Sequence, residues 1–236
     1  MKRIDTRASS LNRIHIRAIG SHDGYARGPN GVTHRRAIWL RPGHYVVICD
    51  EFAGEGEHDL EVNFQFAPGN LSHSGTSGVS FDDVADLHWV GLGEWRSEIL
   101  CGGAGPAAGW IAPSLGVREP APRLSLKCRS ALARTTLVTV LAARQEDRSR
   151  VSVVPALVIG REGALMSVVG DGYRDWIAAP GVHGTVPIDT DGIVAVCRVR
   201  GPESIETASA GGSRVTVAAE MLHELAASAV RSGMHP

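Results

Sequence analysis

An all-β fold, an antiparallel β-sandwich of stacked sheets with a short C-terminal helix as its one helical element, follows from three observations. Glycine is abundant, 28 of 236 residues alongside 12 prolines, so turns are frequent. Several segments alternate apolar and polar residues with a period of two, which requires one buried and one wet face. These segments recur at short intervals with turn residues between them, the pattern of sandwiched antiparallel sheets. No repeat or clean boundary divides the chain, so residues 1–236 read as one domain. Any seam falls in the polar run 144–150.

The clearest strand is His58–Phe66, with Leu60, Val62, Phe64 and Phe66 on one face and Asp59, Glu61, Asn63 and Gln65 on the other. Ahead of it Gly54-Glu-Gly-Glu57 supplies a turn, and Ala37–Arg41 and Tyr45–Asp50 flank the turn dipeptide Pro42-Gly43. Together they predict a three-stranded meander. Leu87–Trp95 and Leu124–Leu132 alternate, the latter with Lys127 and Arg129 outward. Thr135–Ala143, Val151–Ile159, Ala164–Val169 and Ile193–Arg200 are short and rich in β-branched residues. Ser204–Ala208 and Arg214–Val217 flank Ala210-Gly-Gly212, a hairpin pattern. Leu222, Leu225, Ala226 and Ala229 fall at helical spacing within Ala218–Arg231. Pro68–Asp86 and Gly102–Pro122 lack any period and read as loops.

The charge balance, 24 basic against 25 acidic residues, excludes a polyanion-coating protein as a reading of the whole chain, and no nucleic-acid partner is expected. It is uneven: residues 1–50 carry nine basic and three acidic groups, residues 51–100 one and ten. The basic opening either attracts an anionic ligand or pairs with the acidic stretch that follows it. The start has no apolar core of a secretory signal, and no apolar stretch approaches the length of a membrane span. Cys49, Cys101, Cys128 and Cys197 contain no close pair of the zinc or redox kind and read mainly as small buried side chains.

Most local motifs fail. The glycine-rich run 103–109 follows no convincing strand and opens no βαβ unit, so it is no phosphate cradle. Gly75-Thr-Ser-Gly78 is not a nucleophile elbow, and no local signature supports a catalytic triad. Ten histidines raise the question of a metal. His34, Asp50 and His58 could meet across the meander, but with no His-x-His or His-x3-His pair they read as strand-end polar residues. No metal, no cofactor and no catalytic residue is therefore assigned. The densest polar-aromatic cluster is His22-Asp-Gly-Tyr25 followed by Val32-Thr-His-Arg-Arg36. Tyr25, His34, Arg35 and Arg36 are the candidate substrate-binding residues, since arginine forks fit carboxylate or sulfate and an aromatic ring stacks on a sugar. The same residues also suit a hydrogen-bonded corner with no ligand. The five tryptophans either line a saccharide groove or fill the core.

The ordered series His22-Asp-Gly-Tyr-Ala-Arg27, Val32-x-His34-Arg-Arg36, Trp39, Pro42-Gly-x-Tyr45-Val-Val-x-x-Asp50, Gly54-x-Gly-x-His58 and Phe64-x-Phe-Ala-Pro68 resembles the C-terminal β-sheet domain of heparinase II/III-like polysaccharide lyases. Gly109–Pro122 and Thr136–Leu141 resemble the same domain. The resemblance implies a module of an enzyme that cleaves uronic-acid-containing polysaccharide by β-elimination. In that chemistry a base takes the C5 proton, an acid, often tyrosine, protonates the leaving oxygen, and the carboxylate is neutralised. It also implies that the acid/base residues sit mostly on an N-terminal helical toroid, and a metal site on a His-rich segment at the start of the β domain. This chain matches neither, and Gln65 stands where the family often has His. The expectation is a later part of the β domain: a fragment, a split gene product or a freed module. It would act with an upstream toroid or a separate catalytic chain, or as a homo-oligomer, on acidic polysaccharide, with no catalysis alone. The resemblance also implies a family often found in the periplasm or outside the cell. The alternative is a noncatalytic module that binds acidic carbohydrate or serves as a scaffold.

Overall fold

The computed structural model describes residues 3–6, 16–27, 31–103, 109–131, 133–144, 152–154, 163–170, 172–180, 188–200, 204–218 and 220–224. Its strands in chain order are β1 (Arg3–Thr6), β2 (Ile16–Tyr25), β3 (Val32–Arg41), β4 (Tyr45–Gly54), β5 (His58–Gln65), β6 (Leu71–His73) and β7 (Gly78–Phe81). Next come β8 (Ala85–Gly91), β9 (Arg96–Leu100), β10 (Trp110–Ser114), β11 (Val117–Pro120), β12 (Arg123–Ser130), β13 (Arg134–Ala143) and β14 (Ser152–Val154). The last are β15 (Gly163–Gly170), β16 (Tyr173–Pro180), β17 (Ile188–Thr190), β18 (Val194–Arg200), β19 (Ser204–Ala210) and β20 (Val215–Ala218). Residues 220–224 are helical and bury Leu222, while the rest of the expected helix lies outside the described residues.

A seven-stranded sheet runs β2-β3-β4-β13-β8-β7-β6 and a five-stranded sheet runs β14-β15-β16-β18-β19. Two three-stranded sheets, β5-β12-β9 and β1-β20-β17, and the β10-β11 hairpin complete the described pairings, all antiparallel. Three cores define the stacking. Trp39, Val47 and Val140 of the seven-stranded sheet meet Met166, Ile177 and Val196 of the five-stranded sheet. Phe52, Trp89 and Leu137, on the opposite face of the seven-stranded sheet, meet Val62, Leu124 and Leu126 of β5-β12-β9. Trp176 and Cys197, on the far face of the five-stranded sheet, meet Ile188, Val215 and Val217. The order is therefore small sheet, large sheet, large sheet, small sheet.

That order explains the patterning. Central strands of the two inner layers are covered on both faces and read as continuous apolar runs, as in β4 (YVVICDEFAG) and β13 (RTTLVTVLAA). Outer-layer β5 alternates, with a wet face. The expected meander fails for this reason. The wet face of β5 does not suit an inner layer, so the free edge of β4 is taken by β13, and β5 crosses over to pair with β12. The 204–217 hairpin fails as well: β19 pairs with β18 and β20 with β1 and β17. Asp191 accepts the N–H groups of Ser213 and Arg214 and the Ser213 hydroxyl, which folds the link onto the 190–192 turn and delivers β20 to β17. Both supposed loops contain strands, β6-β7 and β10-β11, too short to show a period. β16 carries no clean alternation and was absent from the expected strands.

A charged cluster lies between the two large sheets. Asp175, fully buried, accepts from Arg198 Nε (2.6 Å) and Nη2 (2.7 Å), Arg41 Nη1 (3.2 Å) and the Tyr45 hydroxyl (2.5 Å). Burial, then the Asp175 charge, pushes the Tyr45 phenol well up. The four cysteines are free; Cys49, Cys128 and Cys197 are buried and Cys101 exposed. Burial pushes the Cys197 thiol up to about 12. Among the described residues no helix is long and apolar enough to cross a membrane.

Candidate functional site

The polar cluster singled out in the sequence sits at the β2 edge of the seven-stranded sheet. The registers place His22 opposite His34, His34 opposite Phe52, Arg36 opposite Asp50 and Arg35 opposite Glu51. Alternation then separates the two arginines, because neighbours on a strand point to opposite faces. Arg36 gives Asp50 a two-pronged contact, Nε at 2.6 Å and Nη2 at 3.1 Å. Arg35 Nη1 reaches Glu51 at 3.0 Å, and Arg134 Nε lies 3.5 Å from the same carboxylate. Asp50 and Glu51 are both buried.

His34 joins the Arg36 side. Its Nε2 lies 2.6 Å from Asp50 Oδ1 and its Nδ1 lies 3.2 Å from His22 Nε2. The Gly24 N–H donates to His22 Nδ1 at 3.3 Å. That bond fixes the direction of the others in the neutral rings. His22 carries its proton on Nε2 and donates to His34 Nδ1, and His34 carries its own on Nε2 and donates to Asp50. The His34 ring stacks on Phe52, centroids 4.7 Å apart and planes within 6°. Tyr25, 67% exposed, has its ring 5.1 Å from that of His22. The result is a polar chain from a buried carboxylate to an exposed imidazole and phenol, with the partly exposed Arg36 side chain beside it.

His22, Tyr25, His34 and Arg36 therefore share one corner, and Arg35 stands on the other face. His58 does not reach His34 and Asp50; its Nε2 contacts the Glu55 carbonyl at 2.9 Å. Among the described residues no group of three or more His, Cys, Asp or Glu is arranged to hold a metal ion. Sequence reasoning assigned no site role to His22 and considered Asp50 only as a metal ligand. Trp39, Trp89 and Trp176 are buried in the cores, and Trp110 lies under the Arg118 guanidinium at 3.9 Å.

Residues 3–153 match the profile of the heparinase II/III-like C-terminal domain. The chain belongs to the heparinase II/III-like family. It represents that family's C-terminal domain, and its strand-rich layered architecture agrees. No curated protein matches the chain. Solved structures of similar fold include a heparinase III, the BT4657 gene product, at 14% identity and a TM-score of 0.52, over 76% of this chain and 28% of that one. Another heparinase III has 17% identity and a TM-score of 0.52, over 75% and 27%. The heparan sulfate lyase HepC from Pedobacter heparinus has 14% identity and a TM-score of 0.51, over 78% and 29%. At these identities the likeness is one of fold. The chain spans a little over a quarter of the length of these heparinases.

Proposed function

We propose that residues 1–236 act as one sheet module of a polysaccharide lyase that breaks uronic-acid-containing chains by β-elimination. In this reading the module contacts the acidic polymer, and a separate helical unit, upstream or on another chain, supplies the chemistry. The observation that carries it is the corner of Tyr25, His22, His34 and Arg36. There a partly exposed arginine side chain, an exposed phenol and an exposed imidazole lie together beside the buried Asp50, which holds Arg36 and His34. A guanidinium suits a uronate carboxylate or a sulfate, and a phenol ring suits the face of a sugar. Among the described residues, two of the five guanidinium N–H groups of Arg36 are committed to Asp50, which leaves three for a ligand. Arg35, spent on Glu51 on the opposite face, takes no part in the same contact.

A second reading, a scaffold corner with no ligand, is favoured by the internal pairing of Arg35, Arg36 and His34. Calorimetric titration with heparan sulfate, alginate and hyaluronan oligosaccharides separates the two. Binding to at least one, weakened about tenfold by Tyr25→Ala and by added salt, supports the module reading. No binding to any of them leaves the scaffold. Release of ultraviolet-absorbing unsaturated uronide by this chain alone would overturn the division of labour.

A further inference from the structure

We propose that the exposed edge of β2 pairs antiparallel with the same edge of a second copy of this chain, joining two seven-stranded sheets into one. β2 spans ten residues, Ile16–Tyr25, and among the described residues it pairs only with β3. Residues 17–25 are all exposed. An edge of this length presents a row of unpaired backbone donors and acceptors, and proteins usually block such an edge with proline or lysine. The segment IRAIGSHDGY contains neither, and the bulge that also blunts an edge falls only beyond His22.

The charges choose the occupant. Arg17 and Asp23 are the guanidinium and carboxyl residues of the strand, and among the described residues neither has an ion-pair partner. Arg17 donates to the Ser209 carbonyl at 2.6 Å, and the Asp23 backbone carbonyl accepts the N–H of Ala26. Six residues of extended strand hold them about 20 Å apart, so they cannot meet within one chain. Across a dyad at Gly20 they do meet: Arg17 stands opposite the second copy's Asp23, and the second copy's Arg17 opposite Asp23, on both sides of the axis. Ile19 then faces Ser21 and Ala18 faces His22, with no like charges opposed. Ile19, 47% exposed, borders an open groove lined by Arg17, Asp191, Gly211 and Ser213, which receives the side chains of the added strand. The regular β2-β3 pairing ends at His22 and a bulge lies between His22 and Tyr25, so the new ladder is centred on residues 18–22, with Arg17 and Asp23 at its two ends. This inference stands apart from the polysaccharide reading and survives its failure.

Sedimentation velocity over micromolar to sub-millimolar loading tests it on the whole chain. The expected result is a concentration-dependent dimer that Ile19→Lys converts to monomer. Arg17→Asp alone and Asp23→Arg alone each place like charges across the dyad and lose the dimer. The double variant Arg17→Asp/Asp23→Arg restores it. Circular dichroism of each variant shows whether the sheet content is kept, and Ile19→Lys, at an exposed position, serves if a charge variant fails to fold. A monomer at every loading overturns the proposal. So does a dimer indifferent to Ile19→Lys and to both single reversals, which would place the contact elsewhere.

Discussion

Asp175 takes four hydrogen bonds from three side chains, with two arginines and a tyrosine converging on one carboxylate between the large sheets. Removing its charge leaves Arg198 and Arg41, both buried, without their counter-ion. Asp175→Asn is therefore expected to cost about 3–5 kcal/mol of unfolding free energy, measured by urea denaturation. Tyr45→Phe removes one neutral donor and costs about 1–2 kcal/mol by the same measurement. Residue by residue, the corner at His34 was more legible than this cluster. The turn at Pro42-Gly43 makes residues equidistant from Gly43 face one another, so Arg36 meets Asp50 and Arg35 meets Glu51. Nothing comparable links Arg41 to Asp175, which lie 134 positions apart and meet only because two sheets stack. The sequence offers no signal for that meeting beyond charged residues inside apolar strands.

At the scale of elements, the periodicity of β5 carried its full meaning only once layers were known. Strict alternation identified the strand and its buried face, Leu60, Val62 and Phe64, yet placed it beside the wrong neighbour. Choosing among edges is a question of which sheet has a wet side, and that is a property of the stack. A similar tie holds the β7-β8 edge. Asp86 of β8 accepts from Arg144, just past β13, and from Ser80 of β7. Burial alone would raise the Asp86 carboxyl, but those hydrogen bonds outweigh it and hold the group below its usual range. A carboxyl lowered in the folded state contributes stability that is present above the unfolded value, about 3.9, and is lost as pH falls through the folded value. Asp86→Asn is accordingly expected to flatten the acid limb of a stability–pH curve below about pH 4, with little change in its slope near neutrality. An unchanged acid limb would show that the Arg144 contacts do not persist in solution.

Over the whole molecule, the class and the stacking of sheets were readable in advance, because both rest on turn frequency and period. The four-layer order was not, since it depends on strands such as β13 and β18 that are apolar on both faces and give no direction. The outermost layer joins the two extremes of the described chain: Arg3 pairs with Ala218 and Thr6 with Val215. Deleting residues 1–6 leaves β20 with β17 as its one remaining partner among the described residues and opens an edge beside the core formed by Val215, Val217 and Leu222. The expected outcome is a melting temperature lower by several degrees, at about 2–4 °C per kcal/mol for a chain of this size, read by differential scanning calorimetry. An unchanged melting temperature would mean that the layer draws its stability from side-chain burial alone.

That closure also sets a timetable. During synthesis β1 emerges more than 200 residues ahead of its partner strand β20. At about 5–20 residues per second the nascent segment waits upward of ten seconds with its backbone groups unmatched. Whatever shields the backbone of Arg3–Thr6 in that interval governs how much of the product reaches its final form.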